Sequence, residues 1–121
     1  MKLLSAEDIL IIHEKVINKH ELQGLAGNKS LEALVDRIGN RIRYGMIGDV
    51  YDLAATYAVV IAVGHAFNDA NKRTAFVSMD ACLEHNGIVL EYDVESVGNM
   101  IINVAQGLVD VPEMTHYLRS L

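Results

Sequence analysis

Cysteine is nearly missing from this chain, Cys82 being the only one. No intramolecular disulfide can form and no cysteine cluster can hold zinc, a composition that suits a reducing cytosol. Cations are scarce too, with 10 Lys and Arg against 16 Asp and Glu and a formal charge of −6. A protein whose main task is gripping a nucleic-acid backbone normally shows a basic stripe, so direct nucleic-acid binding is not expected. No long apolar run is present. The most apolar segment, Leu53 to Phe67, has 15 residues and carries Thr56 and His65, short of the roughly 20 that span a bilayer. It reads as a helix buried in protein, with no membrane role. The N-terminal Met1-Lys2-Leu3-Leu4-Ser5-Ala6-Glu7-Asp8 turns acidic before an apolar run matures, which argues against a signal peptide and for a cytoplasmic protein. Repeats, low-complexity tracts and linkers are all lacking.

What is present is a chain for one core. Its 121 residues, 51% of them hydrophobic, suffice for a single domain, residues 1–121, and are too few for two. Helical patterns follow one another along it. Ser5 with Glu7 and Asp8 reads as an N-terminus, and Ile9, Ile12, Val16 and Ile17 carry the helix to about His20. Glu21 to Asn28, containing Gly24 and Gly27, reads as a loop. Ser30 caps a second helix with the stripe Leu31, Leu34, Val35, Ile38 and Ile42, ended by Gly45 and Gly48. Asp49 opens a third, to about Phe67, that is apolar nearly all round and therefore central.

After the break Asn68-Asp69-Ala70, a fourth helix from Asn71 to His85 stops at Asn86-Gly87. Ile88 to Tyr92 reads as an extended connection, Asp93 caps a fifth helix ending near Gly107, and Pro112, the only proline, suits the first turn of a sixth. The expected class is all-α: a bundle of about six helices with an active-site loop between the two central ones.

The chemistry is concentrated between those two. Lys72 and Arg73 open the fourth helix, where the unpaired N–H groups and the helix dipole already disfavour cations. A shared anion relieves this, and phosphate is the usual anion at a helix N-terminus. The alternative is a solvated face, with salt bridges to Asp69 or Asp80. Asp69 suits either Mg²⁺ beside phosphate oxygens or an ordinary N-cap of the fourth helix. His65 suits a general base, since imidazole titrates near neutral pH, or a packed, hydrogen-bonded role. Phe67 reads as a core anchor of the loop. His13, His20, His85 and His116 show no ligand-like spacing and read as surface or cap residues. Cys82 and the five methionines read as packing.

The run His65-Ala66-Phe67-Asn68-Asp69-Ala70-Asn71-Lys72-Arg73-Thr74 resembles the signature of the Fic/Doc family, and of its death-on-curing (Doc) toxin branch in particular. The general pattern is H-x-F-x-[DE]-G-N-G-R-x-x-R. This chain has Ala70 and Lys72 at the two glycines and Phe76 at the second arginine, as the Doc branch does. Length, helical content and the Leu22 to Leu34 segment extend the likeness over nearly the whole chain.

The resemblance implies an ATP-dependent transferase with Mg²⁺. Fic proteins typically transfer AMP to a target hydroxyl. Doc toxins transfer the γ-phosphoryl group to a threonine of elongation factor Tu and arrest translation. His65 is then the catalytic base, Asp69 the metal ligand, and Asn71, Lys72 and Arg73 the phosphate-binding residues. Some Fic proteins block themselves with a helix of pattern [ST]-x-x-x-E-[GN], which has no match here. Inhibition is therefore expected in trans, from a Phd-type antitoxin whose C-terminal helix fills a groove lined by apolar residues of the first two helices. Two alternatives remain: a Fic-like AMP transferase, and a catalytically weak homologue that acts as a binding partner or co-regulator.

Overall fold

The computed structural model describes all residues, Met1 to Leu121, and the chain folds as six α-helices with no strand. They are α1 (Ala6–Val16), α2 (Leu31–Arg43), α3 (Val50–Gly64), α4 (Asn71–His85), α5 (Val94–Ala105) and α6 (Val111–Arg119). The all-α expectation is met. Local chemistry explains most helix starts: the side chains of Ser5, Ser30, Asp49, Asp93 and Asp110 each accept from a backbone N–H in the first turn behind them. Such caps satisfy donors that the helix itself leaves open. Pro112 lies in the first turn of α6, and Ile88 to Tyr92 is an extended connection without a strand partner.

The central helix is α3. Leu53, Ala54, Ala55, Thr56, Tyr57, Ala58, Ile61 and Ala62 are all buried, and α3 packs against α4 most extensively and against α2, α5 and α6 as well. Small residues on α3 let α4 approach closely, which fixes the spacing between the end of one helix and the start of the next. The segment before α1 is tied to the same core. The Tyr57 hydroxyl accepts from the Leu4 N–H at 2.8 Å and donates to the Leu4 carbonyl at 2.9 Å, and burial raises its pKa to about 12.

Two helices end earlier than their apolar pattern predicts. α1 stops at Val16 rather than near His20, because Ile17 turns extended and a side chain from α4 bonds the Val16 carbonyl. α3 stops at Gly64 rather than Phe67, where His65 takes a left-handed conformation with φ +47°. Both departures lie at the cleft described next.

Candidate active site

The loop from His65 to Ala70 joins α3 to α4, and its shape comes from three separate parts of the sequence. Left-handed residues bracket it, His65 at φ +47° and Ala70 at φ +66°. Non-glycine residues avoid this region, so the surrounding contacts must hold the turn. Asn71 does so locally: its side-chain oxygen accepts from the Phe67 N–H at 3.1 Å, and its amide donates to the Phe67 carbonyl at 2.9 Å. The segment before α2 does so from a distance. Ala26 N–H donates to the Ala66 carbonyl at 2.8 Å, Asn68 N–H to the Gly24 carbonyl at 3.1 Å, and Leu25 and Phe67 form an isolated antiparallel bridge. The Asn68 amide adds bonds to the carbonyls of Gln23 and Leu25.

From below, α1 supplies His13. Its ring lies parallel to that of buried Phe67, centroids 3.7 Å apart, and its Nε2 meets the Asp69 carbonyl at 2.9 Å. The surface or cap role expected for His13 is thus corrected: only 2% of it is exposed. Ile9 is also buried, and four residues on His13 falls on the same helix face. That periodicity was the available signal.

A cleft of about 320 Å³ opens above this floor, lined among others by Glu21, His65, Asn68, Asp69, Asn71, Lys72 and Arg73. All five site residues expected from the sequence therefore share one cavity. Their surroundings differ. His65 is exposed, and its ring has no hydrogen-bond partner in the chain. Lys72 is exposed and forms no ion pair. Asp69 does not cap α4; Ala70 holds that position without a side-chain bond. The Asp69 Oδ2 atom instead accepts from the Leu22 N–H at 2.8 Å. With no capping side chain, the N–H groups of Asn71, Lys72 and Arg73 meet no acceptor in the chain. Three donors at a helix start, beside a free ammonium, form an anion-binding concavity.

Arg73 is engaged elsewhere. Its Nη1 donates to the Val16 carbonyl at the end of α1, 2.7 Å away, and its Nη2 bonds the Glu21 carboxylate. A cation at a helix C-terminus is favourable, so this contact accounts for the early stop of α1. Neither Asp69 nor Asp80 is the partner that the sequence suggested; Asp80 accepts from the Tyr92 hydroxyl at 3.1 Å. The Arg73 hydrogen bond, helped by the Asn18 N–H, holds the Glu21 carboxyl down to about 2. In return, Glu21 and more weakly Asp69 raise the Arg73 pKa. Glu21 was legible only as a loop residue, since its partner lies 52 positions away.

No three His, Cys, Asp or Glu side chains are grouped so as to hold a metal by themselves. Asp69, in the cleft that holds this concavity, still fits a hard cation such as Mg²⁺, which takes one or two carboxylates and fills its shell with other oxygens and water. An apolar groove of about 470 Å³ adjoins the cleft, sharing Lys72 and Arg73 and walled by Phe76, Val77, Val94 and Ile101. Its walls come from α4 and α5, with Val16 from α1.

Comparison with known proteins agrees with this geometry. The Fic/DOC family model matches residues 3–83, which span α1 to nearly the end of α4 and include the whole loop. The chain belongs to the Fic/DOC family. Its sequence is 34% identical over 122 aligned positions to protein kinase doc of Escherichia phage P1, an alignment that covers all of this chain and 96% of that protein. The Doc side of the family, suggested by Ala70, Lys72 and Phe76, is therefore where the likeness falls. No helix is long and apolar enough to cross a membrane.

Proposed function

We propose that this protein is a Doc-type toxin kinase, transferring the γ-phosphoryl group of ATP to a threonine hydroxyl of elongation factor Tu in the cytoplasm and so arresting translation. The observation that carries the reading is the meeting, in one cleft, of an unbonded His65 ring with the open N–H groups of α4 and the free Lys72. A base and an anion cradle in one cleft suit transfer of a charged phosphoryl group to a hydroxyl.

In this reading His65 takes the proton of the acceptor hydroxyl as its oxygen bonds to the γ-phosphorus. The bond from that phosphorus to the β-γ bridging oxygen breaks, and ADP leaves. The N–H groups of Asn71, Lys72 and Arg73, with the Lys72 ammonium, take up the charge on the phosphoryl oxygens. Asp69 would hold Mg²⁺, which neutralises phosphate charge when bound. Asn71 contributes through its backbone N–H and by fixing the loop, since its side chain is engaged with Phe67. Two features favour the γ- over the α-phosphate: Lys72 fills space where the wider family has glycine, and Phe76 provides no distal guanidinium.

Neutralisation in this reading is by a Phd-type antitoxin, whose C-terminal helix lies in the apolar groove beside Lys72 and Arg73. Incubation with elongation factor Tu and ATP labelled at the α- or the γ-phosphate tests the activity. Label from the γ position alone is the expected result. Label from the α position alone identifies an AMP transferase, and absence of both with unaffected bacterial growth identifies a binding homologue.

A further inference from the structure

Glu21 has no role in the reaction as described, yet its side chain faces the same cleft as Asp69. The backbone ties the two together, for Leu22, next in sequence to Glu21, donates its N–H to Asp69 Oδ2 at 2.8 Å. The Arg73 guanidinium bonds Glu21 and also feels the charge of Asp69. The guanidinium thus bonds one carboxylate and lies within the field of the other, on a side chain long enough to turn elsewhere.

Nucleotide phosphates offer Arg73 the planar, doubly accepting partner that a guanidinium fits best. Once Arg73 turns to them, Glu21 keeps only the Asn18 N–H, on Oε1, and its Oε2 is freed in the cleft that Asp69 also lines and the phosphate oxygens enter. Hard divalent cations take their ligands from this combination, one or two carboxylates with phosphate oxygens. We propose that Glu21 is a second carboxylate ligand, alongside Asp69, for the divalent cation that accompanies the nucleotide. Arg73 holds the place of that cation until phosphate arrives. The inference rests on the nucleotide-transfer reading and adds to it an exchange of partners: guanidinium to phosphate, carboxylate to metal.

The test uses the full-length protein and a fluorescent, non-hydrolysable ATP analogue, and reads the Mn²⁺ concentration that half-saturates analogue binding. Glu21→Gln is expected to raise that concentration roughly tenfold, Asp69→Asn likewise, and Glu21→Asp, which keeps a carboxylate, by less. Circular dichroism of each variant establishes that the helices persist. If Glu21 only competes with phosphate for Arg73, Glu21→Gln tightens analogue binding and leaves its Mn²⁺ dependence unchanged. That outcome, or no change at all, overturns the inference while leaving the transferase reading intact. Failure of the unmodified protein to bind the analogue at any Mn²⁺ concentration defeats the transferase reading itself, and does so before any variant is compared.

Discussion

The His13 ring lies against the Phe67 ring at 3.7 Å and within 5° of parallel, linking α1 to a loop 54 positions onward. Its Nε2 reaches past Phe67 to the Asp69 carbonyl, so one buried side chain sets both the floor of the cleft and the direction of the Asp69 backbone. His13→Ala removes the stacking and the hydrogen bond together. Loss of a packed ring from a core costs about 3–5 kcal/mol for the larger aromatic residues, and an imidazole falls toward the lower end at about 2–4 kcal/mol. Urea unfolding checks the stability, and transfer activity should fall with it even at temperatures where the variant stays folded.

His65→Ala makes the opposite pattern. The ring is exposed and has no partner, so unfolding should shift by less than about 1 kcal/mol. Phosphoryl transfer and growth arrest should both disappear. Transfer that persists in the purified variant removes His65 as the base.

Ala70 at φ +66° sits where glycine is at ease. A left-handed non-glycine residue costs about 1–2 kcal/mol, and the greater freedom of glycine in the unfolded chain offsets about 0.4–1 kcal/mol of that. Ala70→Gly should therefore stabilise the protein by about 0.5–1 kcal/mol, seen as a rise in Tm of a few degrees.

The Glu21 carboxyl is lowered from 4.5 to about 2 by Arg73 first and the Asn18 N–H second. A depressed carboxylate contributes to stability above its unfolded pKa and loses that contribution as pH falls toward its folded one. The window here runs from pH 4.5 down to about 2. Carbon-detected NMR of the Glu21 carboxyl should give a midpoint near the lower value, and Arg73→Gln should move it back toward the upper one.

Tyr57→Phe tests the anchor at the middle of α3. The change leaves the Leu4 N–H and carbonyl, both now bonded to the hydroxyl, without partners in a buried setting. The expected loss is about 1–3 kcal/mol, measured by denaturant titration.

The sequence made the helices legible because each has its own start signal and an apolar face of the right period. Ser30, Asp49 and Asp93 cap where expected, and α4 runs from Asn71 to His85 as read. The site was legible as composition, with His65, Asp69, Asn71, Lys72 and Arg73 in one cleft. Its partnerships were not. His13 reaches the loop across 56 positions and Glu21 the first turn of α4 across 52, and nothing in a local pattern encodes which distant residues will meet. The early ends of α1 and α3 have the same origin, since an apolar period continues past the point where a tertiary contact stops the helix.

The stitching of Gly24 and Ala26 onto Asn68 and Ala66 has a consequence for the order of events during folding. Closing a loop of some forty residues costs entropy that nearby contacts do not, whereas α3 and α4 pair across a short turn and can form early. Helical signal should accordingly return first on refolding, and nucleotide-binding competence only after the leading third of the chain has docked. A nick between α1 and α2 would leave a helical remnant with no assembled cleft, so protease sensitivity of that segment reports on the working state of the molecule rather than on its bulk structure.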